Sequence, residues 1–202
     1  MHPECDELSL WDDATRLVSE NKYDQAIYLY KSMAKNGIDE ALVEIGRLYE
    51  MPSTATLEQD FSKAATFYKK AIDLSDDMYA YTALGRLYFF GVGVDQDYIK
   101  SKQLYLKAAN MDGLVATLML ARIYRYGHGV QPNLTKAKEL YQKSIRLGSY
   151  VALKESGGLD ISCGEVVKGI AKVIKGTWNI FLRVRKDISN YGVIVSECVK
   201  NQ

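Results

Sequence analysis

One four-residue phrase occurs three times in this chain of 202 residues, as Gly46-Arg47-Leu48-Tyr49, Gly85-Arg86-Leu87-Tyr88 and Ala121-Arg122-Ile123-Tyr124. Successive copies begin 39 and 36 residues apart. Self-similarity at a period between about 20 and 50 residues is the sequence signature of stacked repeat units. The phrase therefore predicts a solenoid, an architecture that presents an extended surface and seldom encloses a catalytic pocket.

A second phrase follows each copy of the first and places a small residue four positions before a tyrosine. It occurs as Ala64 to Tyr68, Ser101 to Tyr105 and Ala137 to Tyr141. The small residue lets a neighbouring helix approach, and we expect the tyrosine ring to fill the gap with its hydroxyl near water. Each unit is thus predicted to be a helix pair, in which a glycine-rich turn ends the first helix and Asp97 or Asn133 caps the second.

These tracts resemble Sel1-like repeats, which are relatives of the tetratricopeptide helix pairs. The family pattern is matched closely over residues 80–109 and 116–145. The unit over 41–72 has residues 51–56 in place of the double-glycine turn, and a weaker unit can be read over 8–37. The resemblance implies an all-α fold, a right-handed α-solenoid of stacked antiparallel helix pairs with a non-repeat helical C-terminal cap. It also implies protein–protein interaction and no particular reaction.

The chain is predicted to divide after residue 150. Residues 1–150 form the solenoid of about four helix pairs, the first degenerate, and residues 151–202 form a helical cap over its last apolar face. We expect Gly157-Gly158 to interrupt the helix that begins near residue 149. Apolar residues at helical spacing follow over 165–190, and they fit two helices divided near Gly176.

The predicted cap is basic as well as amphipathic. Its basic face consists of Lys168, Lys172, Lys175, Arg183, Arg185 and Lys186, with no acidic residue among them. A basic amphipathic helix can lie on an anionic membrane surface or on an acidic partner. The other interpretation is that this segment serves only to cover the end of the solenoid.

One arginine of each phrase points away from the packed stripe of its helix. Arg47, Arg86 and Arg122 should therefore line up across three first helices, which line the concave face in tetratricopeptide-like solenoids. Positions on the same side and at the helix ends complete the predicted surface: Glu40, Glu44, Tyr79, Thr82, Val115, Leu118, Met119, Phe90 and Tyr126. Arginines flanked by aromatic and exposed aliphatic side chains have the composition of a protein interface. Alternatively, the three arginines are solvated or paired within the chain.

The sequence lacks the motifs of catalysis and metal binding. Its two histidines are His2 and His128, the second within a glycine turn, and no Cys and His spacing typical of a metal site occurs. The turn Gly91-Val92-Gly93 lacks the lysine and hydroxyl of a phosphate-binding loop. We therefore expect no enzyme activity, no metal, no cofactor and no small-molecule substrate.

Composition indicates where the chain acts. Hydrophobic residues make up 48% of it, yet no apolar run approaches the roughly 18 residues of a membrane span. The acidic N-terminus is unlike a secretory signal, and the three cysteines lie outside the repeats, so we expect a cytoplasmic location. Residues 1–60 carry 13 acidic and 5 basic side chains, although the net charge is +1. This asymmetry can steer a charged partner, or it can simply keep the helices solvated.

These observations favour a non-catalytic protein that binds another protein on its concave face as an adaptor or regulator. Within the family that it resembles, the chain is similar to bacterial immunity proteins that neutralise a cognate toxin. The alternative is a peripheral membrane or nucleic-acid-associated protein that uses the basic C-terminal helix.

Overall fold

The computed structural model describes residues 3–51, 57–162 and 168–180, and every regular element within those ranges is a helix. Nine helices follow one another there: α1 (Pro3–Ser19), α2 (Tyr23–Lys35), α3 (Ala41–Glu50), α4 (Phe61–Ser75), α5 (Met78–Phe90), α6 (Tyr98–Asn110), α7 (Leu114–Tyr126), α8 (Leu134–Arg146) and α9 (Tyr150–Ser162). Residues 168–180 form a further helix, α10. None of the helices in the described ranges has both the length and the apolar character that a membrane span requires.

The chain divides into two compact units, Met1–Gly113 and Leu114–Gln202. The first unit contains α1 to α6 and the second contains α7 to α10. This division falls between two of the predicted repeats. The predicted boundary at residue 150, where the solenoid ends and the cap begins, lies within the second unit, and it stays a prediction.

In the first unit, consecutive helices pack as the predicted antiparallel pairs. The ammonium of Lys63, near the start of α4, lies 5.4 Å from the ring centroid of Tyr49, near the end of α3. In the next pair, Lys100 near the start of α6 lies 5.5 Å from the ring of Tyr88 near the end of α5. Of the stripe predicted to pack, Ala41, Ile45, Ala80 and Leu84 are at most 4% exposed, and its two tyrosines, Tyr49 and Tyr88, are partly buried.

The two phrases meet inside the pairs α3–α4 and α5–α6, where the glycine of one phrase lies against the tyrosine of the other. A Cβ added at Gly46 would lie 2.5 Å from the Tyr68 ring, and one added at Gly85 would lie 3.1 Å from the Tyr105 ring. The expectation that these tyrosines keep their hydroxyls near water is wrong, because Tyr68, Tyr105 and Tyr141 are at most 1% exposed. The close approach that glycine permits encloses the whole ring.

The helix ends follow the predicted capping chemistry. The side chain of Asp97 accepts hydrogen bonds from the backbone N–H groups of Ile99 and Lys100, and that of Asn133 accepts from Lys136. Gly91 ends α5 with a φ of 66°, in the left-handed region that glycine tolerates. In the unit without a double-glycine turn, residues 52–56 lie outside the described ranges.

In the second unit, two predicted helix breaks are absent. Helix α9 continues through Gly157-Gly158, and α10 continues through Gly176. Tertiary contact overrides the local preference, because a Cβ at Gly157 would lie 2.6 Å from the carbonyl oxygen of Gly169 and one at Gly176 would lie 2.8 Å from the backbone nitrogen of Lys154. These glycines therefore let α9 and α10 pack closely instead of ending them.

A buried carboxylate of α9, from Asp160, forms ion pairs with a lysine of α10 and a lysine of α8. The side chain of Asp160 is fully buried, and Lys172 donates a hydrogen bond of 2.6 Å to it. The ammonium of Lys138 lies 3.0 Å from the other carboxylate oxygen. Burial raises the pKa of Asp160, but the two lysines outweigh that effect and hold its pKa below the ordinary value.

Candidate partner-binding groove

A groove of about 650 Å³ in the first unit is formed by α1, α3, α4 and α5 together with the residues that precede α3 and α5. We call it the α3–α5 groove. Six of the residues predicted to form the concave surface line it, namely Glu40, Glu44, Arg47, Tyr79, Thr82 and Arg86. The helical period that placed these side chains on one side of their helices therefore brought together residues that share a cavity.

The two arginines of the groove are held differently. Arg47 is 68% exposed, and its guanidinium pairs with Glu44 on the same helix at 2.9 Å. Arg86 on α5 pairs with the carboxylate of Glu50 on α3, whose side chain is only 15% exposed. Exposed pairs contribute little to stability. Arg47 is therefore available to a partner at small cost, whereas Arg86 links two helices.

A buried tyrosine lies in the lining of the same groove. Tyr68 is fully buried, and its hydroxyl lies against the carboxylate of Glu50. Burial, and next the charge of Glu50, raise the pKa of Tyr68, so the hydroxyl stays protonated.

Six groove residues were not predicted from the sequence: Trp11, Val43, Glu50, Tyr68, Asp77 and Ala83. Tyr68 belongs to a repeat phrase, which predicted it to pack between helices and not to line a surface, and Glu50 directly follows a phrase that does not include it. Trp11 lies in the degenerate first unit, where the pattern is weak. Asp77 caps α5 by accepting from the backbone N–H of Ala80 at 2.7 Å. The type of Asp77 and its position directly before a helix identify it as a capping residue, but they do not identify it as a residue of the groove lining.

Phe90, at the end of α5, does not line the groove. It is 57% exposed, and its ring stands edge-on to Phe89 at a centroid distance of 5.0 Å. Thr82 does line the groove, but its hydroxyl donates back to the carbonyl oxygen of Met78 in its own helix. The exposed aromatic residue of the groove is Tyr79, at 68%.

The remaining predicted surface residues lie in the second unit. Tyr126 and Val115 are exposed, at 59% and 54%. The expectation that Leu118 and Met119 are exposed is wrong, because each is only 8% exposed. Leu118 packs into a core cluster with residues of α8 and α9, and the sulfur of Met119 accepts a contact from Arg122 at 3.4 Å.

Arg122 is paired within the second unit. Its Nε donates a hydrogen bond of 3.0 Å to one carboxylate oxygen of Glu155, and its Nη2 donates one of 2.5 Å to the other oxygen. The ion pair is therefore bidentate. The hydroxyl of Tyr141 donates to the same carboxylate at 3.0 Å. Burial raises the pKa of Glu155, but the hydrogen bonds from Arg122 and Tyr141 outweigh it and lower the pKa overall. Arg122 and Tyr141 therefore share one acceptor, the carboxylate of Glu155.

The predicted basic C-terminal face is only partly within the described residues. Lys168 and Lys175 are exposed on α10, whereas Lys172 is directed to Asp160. Arg183, Arg185 and Lys186 lie outside the described ranges. One of the three described lysines is therefore engaged in holding α10 to α9.

The described ranges hold no cluster of three or more His, Cys, Asp and Glu side chains that is placed to bind a metal ion. His128 lies in its glycine turn, with its ring centroid 6.0 Å from that of Tyr126. The α3–α5 groove contains carboxylates, guanidinium groups and aromatic rings. This chemistry suits recognition of a polar and aromatic protein surface.

Comparison with known proteins gives a consistent result. A family model described as "Sel1 repeat" matches residues 16–38, 39–76, 79–113 and 114–149. Among solved structures, a Sel1 repeat protein from Oxalobacter formigenes is 22% identical with a TM-score of 0.66, over 77% of this chain and 64% of that protein. A protective antigen of uropathogenic Escherichia coli strains is 23% identical with a TM-score of 0.66, over 76% of this chain and 33% of that protein.

A third structure, an immunity protein from Pseudomonas aeruginosa, is 20% identical with a TM-score of 0.54, over 87% of this chain and 66% of that protein. The chain thus spans 64% and 33% of the lengths of the first two proteins. A search of curated protein sequences gives no match. At these identities the structural likeness establishes the all-helical repeat fold.

Proposed function

This chain belongs to the Sel1 repeat family, whose members are generally protein-interaction modules, and we propose that it is a non-catalytic protein that binds a partner protein in the α3–α5 groove. One observation carries this proposal. Six residues that the helical period predicted as a binding surface line a single groove of about 650 Å³. The chain acts as an adaptor or regulator, by covering the surface of its partner that the groove binds.

The composition of the groove supports this role. Tyr79 is 68% exposed, and Arg47 is equally exposed in a weak ion pair. Tyrosine, tryptophan and arginine are the residues that most often contribute large shares of binding energy at protein interfaces. Trp11 and Arg86 line the same groove. These four side chains come from α1, α3 and α5, so a partner in the groove contacts three helices at once.

Capture from native lysate followed by mass spectrometry tests the proposal. The Arg47→Ala and Tyr79→Ala variants should each capture the principal partner at least about 30-fold less tightly, which corresponds to about 2 kcal/mol of lost binding. Arg16→Ala is the matched control for Arg47, since Arg16 is 64% exposed and also pairs with an acid three residues away. Tyr28→Ala is the control for Tyr79, since Tyr28 is 77% exposed and outside the groove.

Both control variants should capture the partner as the parent does. If the groove variants and the controls behave alike, the partner does not use the groove and the proposal is wrong. The melting temperature of all four variants should stay close to that of the parent, because they alter exposed side chains. A loss of capture with a normal melting temperature is therefore a loss of contact.

The specific role that we propose is neutralisation of a cognate toxin, in the cytoplasm. An immunity protein from Pseudomonas aeruginosa shares this fold, and a protein that acts by occupying its partner needs no catalytic group. Because one fold serves many functions, a growth assay decides this role. The captured partner, expressed alone, should arrest bacterial growth, and co-expression of this chain should restore it. A captured partner that is harmless to the cell excludes the immunity role and leaves an adaptor or regulator.

A second candidate function uses the C-terminal segment on an anionic membrane surface. It is favoured by an apolar stripe on α10, where Ile170, Ile174 and Trp178 are 47%, 63% and 60% exposed beside exposed lysines. Vesicles of mixed neutral and anionic lipids should then shift the fluorescence of Trp178, and salt should reverse the shift. A chain that shows no shift with these vesicles uses α10 for packing alone.

A further inference from the structure

A second groove of the first unit, with a volume of about 550 Å³, is formed by α2, α3 and α4. We call it the α2–α4 groove, and its lining includes Tyr28, Lys31, Lys35, Phe67, Lys70 and Leu74. It shares no lining residue with the α3–α5 groove. The two grooves therefore offer separate sets of contacts, and they can serve different ligands.

The α2–α4 groove is positively charged. Its lining contains the ammonium groups of Lys31, Lys35 and Lys70 and no carboxylate. All three lysines are exposed, and none of them has an ion-pair partner among the described residues. Both arginines of the α3–α5 groove, by contrast, are paired with carboxylates. The unpaired charges of the α2–α4 groove attract an anionic ligand.

Two of these ammonium groups lie close to the same aromatic ring. Nζ of Lys31 is 6.0 Å from the centroid of the Phe67 ring, and Nζ of Lys70 is 5.5 Å from it. The face of an aromatic ring attracts a cation. Phe67 therefore gathers two like charges, and a carboxylate placed beside the ring is attracted by both.

Apolar surface accompanies the charge. Leu42 lines the groove and is 7% exposed, and the ring of Phe67 is partly buried. Tyr28 and Leu74 also line it, but they are 77% and 63% exposed. Large exposed apolar side chains beside a concave surface are typical of an interaction site. A ligand that fits this groove brings apolar groups as well as negative charge.

We infer that the α2–α4 groove binds an acidic segment of a second protein, in which Asp or Glu residues stand next to aromatic or aliphatic ones. Its carboxylates pair with Lys31, Lys35 and Lys70, and an apolar side chain covers Phe67. A flat lipid surface does not enter a groove, and a nucleic-acid backbone brings phosphates without an apolar group for Leu42. The inference goes beyond the proposed function, because it gives the chain a second binding site and lets it join two proteins.

A phage-displayed library of random linear peptides tests this inference. The library is first depleted on the Lys31→Gln, Lys70→Gln double variant and then selected on the intact parent chain. Enriched peptides should contain Asp or Glu next to apolar residues, and synthetic copies with Asn or Gln in place of the acids should bind at least about tenfold more weakly. Each single lysine variant should weaken a selected peptide at least about threefold, and added salt should weaken it too.

Two lysines are matched controls. Lys69 is the exposed neighbour of Lys70 on α4 and does not line the groove. Lys107 occupies the same repeat position as Lys70, 37 residues later, and lines a different cavity. Lys69→Gln and Lys107→Gln remove the same charge and should leave peptide affinity unchanged. All the lysine variants should melt like the parent, because they alter exposed side chains.

A selection that enriches nothing, or only basic or uncharged peptides, overturns the inference. So does a set of acidic peptides that all the lysine variants weaken alike, because general positive charge then attracts them. Duplex DNA and vesicles of mixed neutral and anionic lipids are the competing probes. If either binds the parent more tightly than the double variant while no acidic peptide is enriched, the acidic-segment inference is wrong.

This inference and the proposed function fail separately. Arg47→Ala and Tyr79→Ala alter the other groove, so they should leave the affinity for the selected acidic peptides unchanged. If those peptides depend on Lys31 and Lys70 while partner capture ignores Arg47→Ala and Tyr79→Ala, the proposed function is wrong and the present inference stands. If partner capture depends on Arg47 and Tyr79 but the selection enriches no acidic peptide, only the present inference is wrong.

Discussion

Replacing Gly46 with alanine should destabilise the first unit, whereas the same change at Gly85 should be nearly neutral. A Cβ at Gly46 would lie 2.5, 2.8 and 2.9 Å from three atoms of the Tyr68 ring. At Gly85 the nearest ring atoms of Tyr105 are 3.1 Å away. Contacts shorter than about 3.0 Å force atoms to move, and a ring packed against its neighbours moves only at the cost of those contacts.

The magnitude follows from two opposing terms. Overpacking a core costs about 1–3 kcal/mol, and replacing glycine by alanine inside a helix gains about 1 kcal/mol. At Gly85 the overpacking is slight, so the two terms roughly cancel. At Gly46 the overpacking dominates. We therefore expect Gly46→Ala to be less stable than Gly85→Ala by about 1–2 kcal/mol, or roughly 2–8 °C in melting temperature for a chain of this size.

Thermal and urea denaturation, followed by circular dichroism at the helical signal, measure this difference. A third variant identifies its cause, because Tyr68→Leu removes the ring that the new methyl group meets. Gly46→Ala should cost less stability in the Tyr68→Leu background than in the parent. If Gly46→Ala is as stable as the parent, or if Gly85→Ala loses as much, the argument that the glycine is needed for the tyrosine ring is wrong.

Two further predictions concern the second unit. Tyr141→Phe should lower the free energy of unfolding by about 1–2 kcal/mol, because the hydroxyl donates to the Glu155 carboxylate; urea denaturation of this variant and the parent measures the loss. Asp160→Asn should cost about 2 kcal/mol at neutral pH, because it removes the buried negative charge that pairs with Lys172 and Lys138 and replaces one accepting oxygen with a donating NH2 group. Since the pKa of folded Asp160 is lowered, its contribution is complete above the ordinary aspartate pKa of about 3.9 and is lost as pH falls below it. The stability gap between Asp160→Asn and the parent should therefore narrow in acid, and a gap that is constant with pH would contradict the ion-pair assignment.

The sequence was informative wherever structure depends on neighbours within a few residues. Asp97 and Asn133 cap helices through backbone groups two or three positions away, and the repeat phrases specify which residues of a helix are buried. The helical period also brought Arg47, Arg86 and Tyr79 to one side, and they share a groove. These features are local or periodic, so a single sequence contains them.

The sequence was uninformative wherever a partner lies far along the chain. Arg86 pairs with a carboxylate 36 residues away, and Arg122 pairs with one 33 residues away. No spacing rule connects such residues before the packing is known. The same reason explains Gly157, where a local preference to break a helix gives way to contact with α10, and Leu118, which clusters with residues of α8 and α9.

The two units contain the same three residue types in clusters that differ in one respect. In the second unit, Glu155 accepts from both Arg122 and Tyr141, so every group of the cluster has a partner. In the first unit, Glu50 pairs with Arg86 and lies against the Tyr68 hydroxyl, and all three residues line the α3–α5 groove. A cluster that does not line the groove contributes to stability alone, and one that lines it can contribute to binding as well. Glu155→Gln should therefore lower the melting temperature and leave partner capture intact, whereas Glu50→Gln should lower both.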